Sequence, residues 1–179
     1  MADQMVEIGE FDPSWARQFT EQQAEVEAVL GEALTGPVQH IGSTSVRGLA
    51  AKPVIDMLAP VRSLESARAL VPALSANGWL YWPDDPNGQC RLWFLRPTPE
   101  ARTHHLQVIE GDDPHALVLL AFRDALRADK RLRAEYADLK TTLAEQYRDD
   151  RNAYTDAKSD FVDQTLRSLG IAPPDRRPL

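Results

Sequence analysis

HIGSTSVRGLAAKPVIDML, residues 40–58, is the stretch whose reading decides the fold. It sets Gly42 and Gly48, the hydroxyls of Ser43, Thr44 and Ser45, one lysine (Lys52) and one carboxylate (Asp56) between two short apolar runs. Residues 38–41 read as one strand and 53–59 as a second, with a tight polar loop or short helix between them. Such a segment presents backbone N–H groups and hydroxyls at a strand end, and glycine leaves room for an anion to approach closely. A tight turn capped by its own hydroxyls accounts for the same residues. Asp56 stands inside an otherwise apolar strand. A carboxylate there needs a metal, a cation or a donor, because burying it unpaired is costly.

The totals narrow the classes. The chain has 179 residues, 43% of them hydrophobic, which suits one compact domain with its own core. Net charge is −7 and the isoelectric point about 5.1, which argues against a general nucleic-acid surface. One cysteine, Cys90, allows no internal disulfide and fits a reducing cytosol. No charged-then-apolar leader pattern opens the chain, and no apolar run approaches the ~20 residues of a membrane span. The expectation is a soluble, cytoplasmic protein without membrane partners.

Working outward, Asp12 and Pro13 mark a helix start, and Trp15, Phe19, Val26 and Leu30 recur at helical spacing. The helix is expected to run to about residue 34. Ser63 begins a helix that Pro72 interrupts and Asn77-Gly78 closes. Three strands are expected over 79–82, 90–95 and 103–109, with a turn-rich loop at 83–88 and the aromatic residues of 79–94 as core and sheet cover. From residue 114 the pattern is helical: 114–127, then a helix capped by Asp129, then one over 150–169. Residues 1–170 form a single domain in this reading and 171–179 a disordered tail. A strand–loop–strand core with helices before and after it in the chain gives α/β or α+β, an α+β (α/β-like) fold with a mixed sheet.

Beyond these patterns, Gly42-Ser43 followed by Asp56 resembles the signature of the nucleotidyltransferase superfamily. The run from His40 to Asp56, with Phe122-Arg123-Asp124, Leu126-Arg127, Tyr136 with Lys140, and Tyr154 with Lys158, resembles the GrpB (UPF0157) family over roughly residues 5–170. The resemblance implies a nucleotidyltransferase-like mixed sheet with an N-terminal helix and a C-terminal helical layer. It also implies a cleft for a nucleotide or other phosphorylated small molecule, with a metal-assisted transferase activity.

The candidate site residues follow. Gly42, Ser43 and Thr44 are expected at the phosphates. Asp56 is the candidate metal ligand and catalytic carboxylate, but Leu58 stands where active enzymes of the superfamily carry a second acid. A two-metal site for Mg²⁺ needs more hard oxygen ligands than that. In GrpB relatives the strand near residue 105 often reads His-Leu-His; here it is His105-Leu106-Gln107. Residues two apart on a strand share a face. If that face meets Asp56, then Asp56, His105 and His40 are a candidate ligand set for one metal, Zn²⁺ or Mn²⁺ suiting it better than Mg²⁺. Hydrogen-bonded polar residues near a sheet end are the plainer reading. Lys52, Arg123, Lys140 and Lys158 are the candidate anion clamps, a local positive funnel in an acidic chain. Their alternative is an Arg123–Asp124 ion pair and solvated lysines. His115 is expected at the surface. A non-catalytic binding or accessory module, or a different transition-metal enzyme built on Asp56 and His105, remains the alternative to the transferase.

Overall fold

The computed structural model describes residues 5–174. Its centre is a five-stranded mixed sheet: β1 (Gln39–Ile41), β2 (Ile55–Val61), β3 (Leu80–Tyr81), β4 (Arg91–Arg96) and β5 (His104–Glu110). The strand order is β1-β2-β5-β4-β3. β2 and β5 run parallel and the other neighbours antiparallel. Helices cover both faces, so the α+β class expected from the sequence is the one observed. No helix among the described residues is long and apolar enough to cross a membrane.

The strand alternation sorts the residues. Ile55, Met57 and Val61 of β2, Leu106 and Val108 of β5, and Leu92 and Phe94 of β4 share one face and the main core. That face is covered by α1 (Ser14–Leu30), α2 (Leu64–Arg68) and α3 (Val71–Ala76), which supply Trp15, Val26, Leu30, Ala67 and Leu74. Burying each large apolar side chain contributes about 1.5–3 kcal/mol, so this face is where the fold is held.

The opposite face is divided. Ile41, Leu58 and Ile109 pack on Ala116, Leu119 and Leu120 of α4 (Pro114–Ala128). The remaining positions there are polar or amphipathic: Asp56, His105, Gln107, Arg91 and Trp93. A cleft separates them from the helices that follow, α5 (Lys130–Gln146), α6 (Arg151–Ala157) and α7 (Ser159–Ser168).

Several boundaries differ from expectation for local reasons. α1 stops at Leu30, because Gly31 turns to φ 48° and the chain continues as a 3₁₀ turn. The strand expected over 53–59 begins at Ile55, since Val54 N–H closes a tight turn onto the Lys52 carbonyl at 2.7 Å. The helix expected over 150–169 is two helices. At the break, Lys158 N–H bonds back three residues to Thr155 rather than four. Asp129 and Asp150 cap α5 and α6 through their side-chain oxygens. Of the expected tail, Ile171 N–H bonds the Leu166 carbonyl and Pro174 lines the cleft, while residues 175–179 lie outside the described residues.

Candidate functional site

Asp56 and His105 stand side by side in register on the parallel pair β2 and β5. His105 Nδ1 lies 2.9 Å from Asp56 Oδ1, and His105 Nε2 lies 3.4 Å from Nη2 of Arg151 on α6. A guanidinium can only donate. Nε2 is therefore the accepting nitrogen, and Nδ1–H donates to Asp56. The carboxylate inside the apolar strand thus finds its donor in the neighbouring strand.

The turn after β1 closes onto the same carboxylate. Gly42 has φ 69°, and a Cβ there would stand 2.5 Å from Asp56 Oδ2. Ser43–Ser45 is a single 3₁₀ turn rather than the start of a longer helix. Ser43 and Thr44 both line the cleft, and Thr44 Oγ1 donates to the Val54 carbonyl at 3.0 Å and lies 3.1 Å from His40 Nε2.

The cleft has three adjoining lobes, of about 240, 370 and 440 Å³, and Thr155 lines all of them. The smallest is the lysine lobe: Lys52, Lys140, Lys158 and Arg151 converge there with Ser43, Asp56 and His105. Lys140 is 2% exposed, donates to the Ala50 carbonyl and lies over the Tyr136 ring at 5.0 Å. Burial, reinforced by Lys158, pushes its pKa down to about 7. Lys158 lies 3.9 Å over the Tyr154 ring. Burial lowers its pKa to about 8 against the pull of Asp56, with Arg151 and Lys52 adding to the lowering. Burial also raises the phenol of Tyr136 well above its ordinary value. The 370 Å³ lobe is lined by apolar α4 side chains, Val118, Phe122 and Leu126 among them, with half-buried His115 at its edge. The 440 Å³ lobe lies between Trp82, Trp93, Arg102 and α6.

One expected member is placed elsewhere and another is tied internally. His40 pairs with Met57 across β1 and β2, which puts it on the face opposite Asp56. Its ring stacks on Phe19 at 4.6 Å, and burial pushes its pKa down to about 4. Arg123 lines the apolar lobe, but its guanidinium donates to both oxygens of Asp124 (2.7 and 3.0 Å), to Gln39 and to the His40 carbonyl. Its guanidinium is thus tied internally, in a lobe that Gly42, Ser43, Asp56 and Lys158 also line. A metal centre does not fit the residues present. Leu58 is packed in the apolar face, His105 Nε2 is aimed at a fixed cation, and no three His, Cys, Asp or Glu side chains group suitably among the described residues.

The model of the GrpB protein family matches residues 5–168. The chain belongs to the GrpB family. Among curated GrpB-type relatives, UPF0157 protein YqkA of Bacillus subtilis is 38% identical over 157 residues, 88% of this chain and 45% of its own length. The UPF0157 protein of Streptomyces coelicolor is 38% identical over 159 residues, 88% of this chain and 81% of that one. The chain thus spans less than half of YqkA. The crystal structure of conserved protein GrpB from Enterococcus faecalis superposes with a TM-score of 0.80 at 30% identity, covering 92% of this chain and 99% of that one.

Sequence reasoning missed Arg151, Arg91, Arg102, Trp82, Trp93 and Thr155. One signal was available. Arg151 opens a helix directly after its cap, Asp150, where the helix dipole disfavours a cation. Thr155 follows one turn later on the same helix, and Arg91, Trp82, Trp93 and Arg102 come together only when β3, β4 and the loop after them fold against β5.

Proposed function

We propose that this GrpB-family cleft binds a phosphorylated small molecule, nucleotides included, with the phosphate in the lysine lobe. The observation that carries the reading is the convergence of Lys52, Lys140, Lys158 and Arg151 on one 240 Å³ space in a chain of net charge −7. Four cationic side chains there face one carboxylate, Asp56. Such a concentration, partly withdrawn from water, attracts an anion, whose entry offsets the mutual repulsion of the cations. The nucleotidyltransferase-like motif around Gly42, Ser43 and Asp56 supports a phosphate as that anion.

A second observation favours a reaction there rather than storage alone. Asp56 holds His105 with Nε2 turned to the lobe that would take the phosphate. In a transferase acting at phosphate, Arg151 moves from Nε2 onto the phosphate; Nε2 then accepts the proton of an acceptor hydroxyl as its oxygen bonds to phosphorus and the leaving-group oxygen departs, while the lysines neutralise the developing charge. A non-catalytic module would use the same lysines and have no need of the imidazole.

Calorimetric titration with inorganic phosphate, glycerol 3-phosphate and ATP, each with and without Mg²⁺, Mn²⁺ or Zn²⁺, tests the reading. Lys158→Met is expected to weaken the binding of a phosphate ester about tenfold, the loss of one charge-assisted contact. Absence of binding by all three compounds in every metal condition overturns it. Asp56→Asn and His105→Gln then separate enzyme from module: both abolish turnover in the first case and leave affinity nearly intact in the second.

A further inference from the structure

The 440 Å³ lobe is built differently from the lysine lobe, though His105, Arg151 and Thr155 line both. Its side walls are Trp82 and Trp93, an edge-on pair with centroids 6.4 Å apart. Arg102 lies over both rings, 5.9 Å from one centroid and 5.7 Å from the other. Its Nε donates to the Pro99 carbonyl at 2.8 Å. That leaves its two terminal nitrogens without a hydrogen bond among the described residues, on a guanidinium whose position is already fixed. Arg91 is also beside Trp93, at 5.6 Å, but it is committed: it donates to both oxygens of Asp85 (2.6 and 2.9 Å) and to Gln107 (2.8 Å).

Two features decide what fits. The tryptophan rings are faced by guanidiniums, Trp93 by two, so this is not an open platform for stacking a nucleobase. The charges come to three guanidiniums against the carboxylates of Asp85 and Glu100, one positive charge in excess; the lysine lobe, which shares Arg151, has three in excess when Lys140 and Lys158 are both protonated. A single excess charge with a pre-oriented planar fork suits a planar monoanion that accepts two parallel N–H bonds. A doubly charged phosphate suits the lysine lobe better.

We propose that the lobe of Trp82, Trp93, Arg102 and Arg151 is a carboxylate subsite, so that the ligand carries a carboxylate at one end and a phosphate at the other. This rests on the phosphate reading of the lysine lobe and narrows it, from phosphorylated molecules in general to phosphorylated carboxylic acids. The two anionic ends straddle His105, which lines both lobes. Arg102 is a binding residue in this scheme, not a catalytic one.

The test uses the full chain and a ruler of ω-phosphonocarboxylates of increasing length. Each is compared by calorimetry with the alkylphosphonate of the same length, which lacks only the carboxylate. At the length that spans the two lobes, the carboxylate is expected to tighten binding about tenfold or more, the value of a charge-assisted bidentate contact. Arg102→Gln is expected to abolish that gap while leaving alkylphosphonate affinity unchanged, which also shows the variant to be folded. Arg102→Lys, which keeps the charge and loses the fork, restores only part of it. Emission from Trp82 and Trp93 responds to the phosphonocarboxylate and not to the alkylphosphonate. Alkylphosphonates that bind with no gap at any length overturn the carboxylate subsite and leave the phosphate reading standing. Failure of both series to bind overturns both.

Discussion

At Gly42 the backbone comes so close to Asp56 that one methyl group would enter the space of the carboxylate. The φ of 69° adds strain for any side chain. Gly42→Ala is therefore expected to cost about 1–3 kcal/mol and to push Asp56 off His105, seen as a lower melting temperature together with weakened ligand binding. A variant as stable as the parent would mean that the turn relaxes freely. His40 carries a second residue-level prediction. Its pKa in the fold is about 4, below the ordinary 6.5, because burial disfavours the charged ring. His104 is lowered to about 4 for the same first cause. Between pH 6.5 and 4 the unfolded chain binds these protons and the folded one does not, so stability falls as the pH drops through that window. Thermal unfolding followed from pH 7 to 4 is expected to show this fall, and His104→Gln to lessen it.

Among the elements, α6 bears most directly on the site, since Arg151, Tyr154 and Thr155 all stand on it and Lys158 ends it. It has seven residues and starts from one side-chain cap, Asp150 to the Ala153 N–H at 2.9 Å. Asp150→Ala is expected to cost about 1 kcal/mol and to loosen Arg151 and Lys158 together, lowering phosphate affinity although Asp150 does not line the cleft. Unchanged affinity would mean that packing of Tyr154 alone holds the helix. Elements of this kind were largely readable in advance. Asp12 and Asp129 announce their helices, β2 follows from its apolar run and β5 from its alternation. The errors came where one residue's backbone decides: Gly31 ending α1, and Lys158 breaking one expected helix into two. Periodicity continues across both points, because the side chains still fall on the buried face.

For the whole molecule, the controlling contrast is an acidic chain with a basic interior cleft. Because Lys140 and Lys158 titrate near 7 and 8, their charge is lost as the pH rises through neutrality. Affinity for a phosphate ester is expected to fall about tenfold between pH 7 and 9, the direction required when the cationic form binds and the neutral form does not. Calorimetry across that range checks it, and a flat profile would assign the phosphate to other groups.

The sequence alone determined the α+β class, the strand-turn-strand around Gly42 and Asp56, the caps, and the short set of residue types fit to handle an anion. These are local properties, set by spacing, backbone freedom and the cost of burying charge. It also suggested grouping His40, Asp56 and His105, and joining Arg123 to the three lysines. Only the tertiary structure sorted those sets. The β1–β2 register turns His40 to the opposite face, the parallel β2–β5 register sets His105 against Asp56, and Gln39, the His40 carbonyl and Asp124 take up Arg123. Arg151 and Arg102 enter the cleft from segments far apart in the chain. Register and packing between distant segments depend on how whole faces match, and no local pattern records that.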